Sequence, residues 1–159
     1  MKMKKLFSLL TLGLALILLA ACGQKSAEDI IKTELKNSYT GYSENPGGIY
    51  PFRAGDDVLT FNKKDNSITN SYGNMKYFSV ISDQELPSGI KNTIDELESE
   101  LKGTDNFTII VSREKNPTRK DSEGVYQIAL TDKGKSIRIF ELGRDQRSFG
   151  YYDFSGTSK

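Results

Sequence analysis

The chain has 159 residues, 22 Lys and Arg against 21 Asp and Glu, one cysteine, and neither histidine nor tryptophan. That length fits one ordinary domain, and the near balance of charge leaves no electrostatic footprint for nucleic acid. A single cysteine excludes an internal disulfide and a cysteine-built metal cluster, and the lack of histidine excludes Ser-His-Asp and Cys-His catalysis and the commonest zinc ligand.

At the N-terminus, Lys2, Lys4 and Lys5 precede an apolar run over residues 6–21 that closes on Leu19-Ala20-Ala21. A positive flank, an apolar stretch and small residues, in that order, make a secretory signal peptide. The run is shorter than the roughly 20 residues a spanning helix needs and gives way to Gly23-Gln24-Lys25-Ser26. Leu19-Ala20-Ala21-Cys22, directly after the run, resembles the lipobox of bacterial lipoproteins. The resemblance implies cleavage between Ala21 and Cys22, a diacylglycerol on the Cys22 sulfur, and a protein held on the extracytoplasmic face of the cell membrane. Two acyl chains hold stably where one holds only marginally. The competing reading is a plain secretory signal with a chance cysteine. The expected organisation is a removed signal over 1–21, a lipidated tether over 22–25 and a single domain over 26–159. Without Lys2, Lys4 and Lys5 the formal charge turns from +1 to −2.

Ser26 with Asp29 three residues on is an N-cap pattern, and Ile30, Ile31, Leu35 and Tyr39 form one stripe, so a helix is expected over 27–38. Its stripe packs either on the domain, the commoner outcome, or on the membrane. Residues 41–56 are rich in turn formers and are expected as a loop or linker. Residues 58–61 and 67–69 around a polar turn read as a hairpin, and 75–81 as a strand with apolar residues on both faces. Ile90, Ile94, Leu97 and Leu101 recur at helical spacing before Gly103, giving a second helix over 90–102 with Ser88 as its cap. Strands follow over 107–111, 125–131, 136–142 and 149–154, with a charged loop over 113–124. The expected fold is α+β: an antiparallel sheet of five to seven strands packed against one or two helices.

Motifs that could carry chemistry are weak. Ser88-Gly89-Ile90-Lys91 has the Ser-x-x-Lys spacing of penicillin-recognising enzymes, but so does Ser112-Arg113-Glu114-Lys115, and no partner motif accompanies either. Gly134-Lys135-Ser136 has the end of a phosphate loop without its first glycine, since position 129 is Ala129. Asp56-Asp57 reads as a turn, and Glu96 with Glu100 as a solvated helix face.

The aromatics are the one anomaly. Tyr39, Tyr42, Tyr50 and Phe52 crowd the first loop, and Phe149, Tyr151, Tyr152 and Phe154 the end. Core filling in a tryptophan-free domain is the commoner use of such rings. Exposed tyrosines instead mark recognition surfaces, and the loop carrying Arg113, Lys115, Arg119 and Lys120 is basic. Tyr42, Tyr50, Phe52 and those four cations are the candidate binding surface. The expected function is a non-catalytic binding or adaptor module of a Gram-positive cell envelope, without cofactor or metal, its partner an envelope protein or wall polymer. A small-ligand-binding lipoprotein is the alternative, and an envelope enzyme using carboxylates or Ser-Lys a more distant one. Beyond the lipobox, the body of the chain resembles small Gram-positive lipoproteins only in style, in its lysine- and asparagine-rich strand–turn–strand over 58–70.

Overall fold

The computed structural model describes residues 24–143 and 150–159. The expected signal peptide and cleavage point, Cys22 and Phe149 lie outside them.

Eight strands form a closed antiparallel barrel: β1 (Ser38–Ser43), β2 (Gly55–Asn62), β3 (Ser67–Thr69), β4 (Met75–Val80), β5 (Asp105–Ser112), β6 (Gly124–Thr131), β7 (Ser136–Glu141) and β8 (Asp153–Thr157). Each strand pairs with the next, and β8 returns to β1 with Thr40 opposite Thr157 and Tyr42 opposite Ser155. Three short helices, α1 (Ala27–Thr33), α2 (Ser88–Glu96) and α3 (Glu98–Leu101), accompany it. The expected α+β fold, an antiparallel sheet of five to seven strands packed against one or two helices, is therefore incorrect. Alternating burial reads the same in an open or a closed sheet; what closes this one is pairing between the two ends of the chain, which no local pattern announces.

Period-two alternation builds the interior. Along β2, Asp57, Leu59 and Phe61 are buried while Asp56, Thr60 and Asn62 face water. Tyr39, Ile68, Phe78, Ile109, Ile128, Ile139 and Phe154 meet them inside. On β5–β7 the outer face is apolar as well, because α2 and α3 lie on it. Leu97 and Leu101 pack with Ala129, Phe140 and Leu142, and Ile81 and Leu86 with Ile110. The expected helix over 90–102 exists but breaks at Leu97 (φ −93, ψ 9). Ser88 is not its cap: it is the first helical residue after Pro87 and makes no capping bond.

The first helix is shorter than its stripe suggests. The Ser26 hydroxyl accepts from Asp29 N–H at 3.2 Å, Glu28 and Asp29 favour the positive helix start, and Ile30 is fully buried. The chain leaves the helix at Glu34, so Leu35 closes the barrel end and Tyr39 belongs to β1. The stripe thus packs on the domain. The Tyr39 hydroxyl accepts from Lys36 N–H and donates to the carbonyl of Gly134, both at 2.8 Å, tying β1 to the β6–β7 turn.

Antiparallel order puts α1, the 62–67 turn and the 132–135 turn at one end, here called proximal. The β1–β2 loop, the 70–74 turn and the 113–123 loop lie at the other, distal end. Residues 41–56 are not all loop: 41–43 belong to β1 and 55–56 to β2.

Closure needs a residue without a side chain. A Cβ on Gly41 would stand 2.1 Å from the Ser155 carbonyl oxygen and 2.6 Å from Gly156 Cα, both backbone. Gly41→Ala is expected to destabilise the barrel by roughly 3 kcal/mol or more, measured as a lowered urea midpoint. The exposed neighbour change Thr40→Ala should stay within about 1 kcal/mol.

Candidate functional site

The large apolar side chains left in water gather at one place. Tyr42 (53% exposed), Tyr50 (59%), Tyr72 (68%) and Met75 (43%) are the exposed large hydrophobics of the described residues, and all four stand at the distal end. Tyr42 projects outward from the end of β1, since Tyr39 and Ser43 take its inward positions. Tyr50 rides on the β1–β2 loop, Tyr72 on the β3–β4 turn, and Met75 opens β4. The Arg53 guanidinium lies 3.8 Å from the Tyr72 ring centroid, a cation–π contact that joins two of these loops.

The basic loop between β5 and β6 continues the rim. Lys76 is buried and donates to Glu123 at 2.6 Å, and the other Glu123 oxygen accepts from Arg113 N–H at 2.8 Å. The Lys76 ammonium holds the Glu123 carboxyl below its usual range, against the opposing effect of burial. Thr118 and Asp121 cap a short 3-10 turn reciprocally, with hydroxyl and N–H both donating to Asp121 (2.6 and 2.9 Å). That turn presents Arg119 and Lys120 to solvent, as Lys115 is presented before it.

Six of the seven residues singled out from the sequence, Tyr42, Tyr50, Arg113, Lys115, Arg119 and Lys120, therefore lie on the exposed distal end. Phe52 does not. It is 2% exposed and sits inside the barrel mouth, with ring centroids 4.1 Å from Tyr126 and 5.1 Å from Tyr152. The loop bends inward because its turn formers let backbone groups find partners there. Gly48 N–H donates to Glu141 at 2.7 Å, and the Asn70 amide donates to the Pro51 carbonyl at 2.9 Å. Arg53, Tyr72 and Met75 were not singled out; the signal for Tyr72 was a lone ring inside the turn cluster Asn70-Ser71-Tyr72-Gly73.

The remaining motifs fall apart as sites. Ser88 and Lys91 are exposed on α2, Ser112 is buried and accepts from Glu114 N–H, and Gly134 forms the expected β6–β7 turn. Asp57 is not a turn residue; it points into the barrel on β2.

The proximal end offers a cleft of about 520 Å³ between the 24–28 segment, residues 80–85 and the outer side of β5 and β6. Its buried polar groups serve one another: Thr108 donates to Gln127 at 2.6 Å, and Gln127 to Asn106 at 2.9 Å. Lys25 bridges Glu34 and Asp105 at 2.7 and 3.1 Å. No helix among the described residues is long and apolar enough to cross a membrane.

No family model matches the chain, and no curated protein or solved structure shows significant similarity to it.

Because the folded Glu123 pKa is depressed, its contribution to stability is present above the unfolded value, about 4.3. It is lost as the pH falls through the folded value. Glu123→Gln is expected to cost about 1–2 kcal/mol at pH 7, since it leaves the buried Lys76 charge without its partner. The gap from the parent should close on acidification below about pH 4, followed by urea denaturation at several pH values.

Proposed function

We propose that this chain is a non-catalytic extracytoplasmic lipoprotein that binds an envelope protein with the distal end of its barrel. The observation that carries the reading is the gathering of Tyr42, Tyr50, Tyr72 and Met75 on one end, with Arg53, Arg113 and Arg119 around them. Tyr, Met and Arg are the types enriched at the centres of protein interfaces, and rigid rings give contact area at small entropic cost. A monomer rarely keeps such side chains clustered in water without use.

The anchor supports the same orientation. If Cys22 carries diacylglycerol, only Gly23, Gln24 and Lys25 separate it from the cap of α1. The proximal end then rests near the headgroups, and the distal rim stands one strand length away, about 25 Å for eight residues. A partner would meet the tyrosines rather than the bilayer. A wall polymer is the second occupant, favoured only by the exposed cations Lys115, Arg119 and Lys120.

Crosslinking with mass spectrometry on intact producing cells tests this, with Cys22→Ala as the unanchored form. One envelope protein is expected, joined to the anchored form through the 45–54, 70–74 or 113–123 segments. Tyr50→Ala and Tyr72→Ala should each weaken the isolated complex by about tenfold or more while leaving thermal unfolding unchanged. Crosslinks confined to wall material, or to the proximal end, would sink the reading.

A further inference from the structure

Beneath the β1–β2 loop the barrel interior changes character. Toward the proximal end Leu59, Phe61, Ile68, Phe78, Ile109 and Ile139 fill it, but the distal mouth holds two inward carboxylates, Asp57 from β2 and Glu141 from β7. Three aromatic rings stand with them: Phe52, Tyr126 and Tyr152 touch pairwise at centroid distances of 4.1, 5.1 and 6.4 Å. Two of the rings belong to the strand walls and the adjoining chain; Phe52 alone is brought in by a loop.

The polar groups there are not all satisfied from within. Asp57 Oδ1 accepts from Val58 N–H, Ser71 N–H and the Ser71 hydroxyl at 2.7, 3.0 and 2.7 Å, yet Oδ2 has no partner. The Tyr152 hydroxyl has none either. Asp57 is 4% exposed and Tyr152 fully buried. A buried carboxylate oxygen without a donor is costly, and a native structure keeps one mainly where a partner comes from outside. Burial, and then the Asp57 charge, push the Tyr152 phenol up, so it stays protonated.

Aromatic faces around an anionic group are the recognition chemistry of organic cations, which gain from ring quadrupoles and from the carboxylate together. An eight-stranded barrel is wide enough for one small ligand. On its outer side the loop bounds a cleft of about 340 Å³ whose lining includes Phe52, the same ring that packs on Tyr126 and Tyr152 within. The loop is held across the mouth by Gly48 N–H on Glu141, by the Asn70 amide on the Pro51 carbonyl and by the Arg53–Tyr72 contact.

We infer that the distal chamber is a binding site for a small aryl- or alkyl-substituted ammonium compound, whose apolar body takes the place of the Phe52 ring and whose cation bonds Asp57 Oδ2. Withdrawal of Phe52 opens the chamber and takes the Gly48 N–H away from Glu141. Binding and loop position are coupled, and apparent affinity is lowered by the fraction of time the loop stays in. The site does not rest on the protein interface proposed above. Arg119→Ala alters that rim away from the β1–β2 loop and is expected to leave the chamber unaffected.

The experiment is titration calorimetry on the full chain in mild detergent, with 2-phenylethylammonium as probe and 2-phenylethanol as its neutral counterpart. The ammonium is expected to bind at one site, at least roughly tenfold more tightly than the alcohol. Asp57→Asn should cut its affinity roughly tenfold or more while leaving alcohol binding unchanged. Phe52→Ala, or Phe52→Leu if the alanine variant fails to fold, should tighten it by at least about tenfold by removing the competing ring. Equal binding of ammonium and alcohol overturns the inference, as does an Asp57→Asn variant that binds like the parent. So does silence from both the parent and whichever Phe52 variant folds.

Discussion

Pairing of β1 with β8 closes the sheet, and almost everything else in the molecule is shaped by that closure. A closed barrel leaves no strand edge for another chain to pair with, so the domain needs no covering element there. It also fixes an interior of set width that must be filled. Gly41 and Gly156 stand where β1 and β8 approach closest, and the Phe154 ring covers both, within 2.6 Å of where a Cβ on either would lie. Ile30 and Leu35 stop the proximal opening, and the Tyr39 hydroxyl bonds the two segments that would otherwise splay there. α2 and α3 are secondary to this plan, covering the outer face of β5–β7 where Ile110, Ala129 and Phe140 would otherwise meet water.

A closed wall also restricts where function can sit. Neighbouring strands consume each other's backbone groups, so unclaimed chemistry collects at the two ends. The ends solve this differently. Proximally, ion pairs from Lys25 and a ladder from Thr108 through Gln127 to Asn106 use up the polar side chains. Distally, rings and guanidinium groups stand in solvent, and under them Asp57 Oδ2 and the Tyr152 hydroxyl await partners. The β1–β2 loop serves both levels, with Tyr50 outside and Phe52 inside, two residues apart.

Local order was legible from local pattern. Alternation marked β2, β3, β4, β5, β6 and β7 to within a few residues, and the stripe of Ile90, Ile94, Leu97 and Leu101 marked the helical segment. Errors fell where distant contacts outweigh local preference. Residues 34–39 continue a helical stripe, yet Tyr39 is drawn into β1 by the carbonyl of Gly134 and by packing against Phe61 (5.9 Å, edge-on). The last strand starts at Asp153 rather than earlier, because its register is set by β7 and β1.

By itself the sequence determined the absence of histidine, which excludes histidine-dependent catalysis, the segments able to form strands, and the clusters of aromatic and basic residues. It also carries the lipobox-like Leu19-Ala20-Ala21-Cys22, whose meaning is read from its order alone. Only the tertiary structure decided that the sheet closes, that six of the candidate residues share one end, and that Phe52 turns inward. It also set Asp57 inside the barrel rather than in a surface turn. The physical reason is common to all four: each depends on pairing or packing between residues far apart in the chain, which periodicity and turn chemistry do not encode.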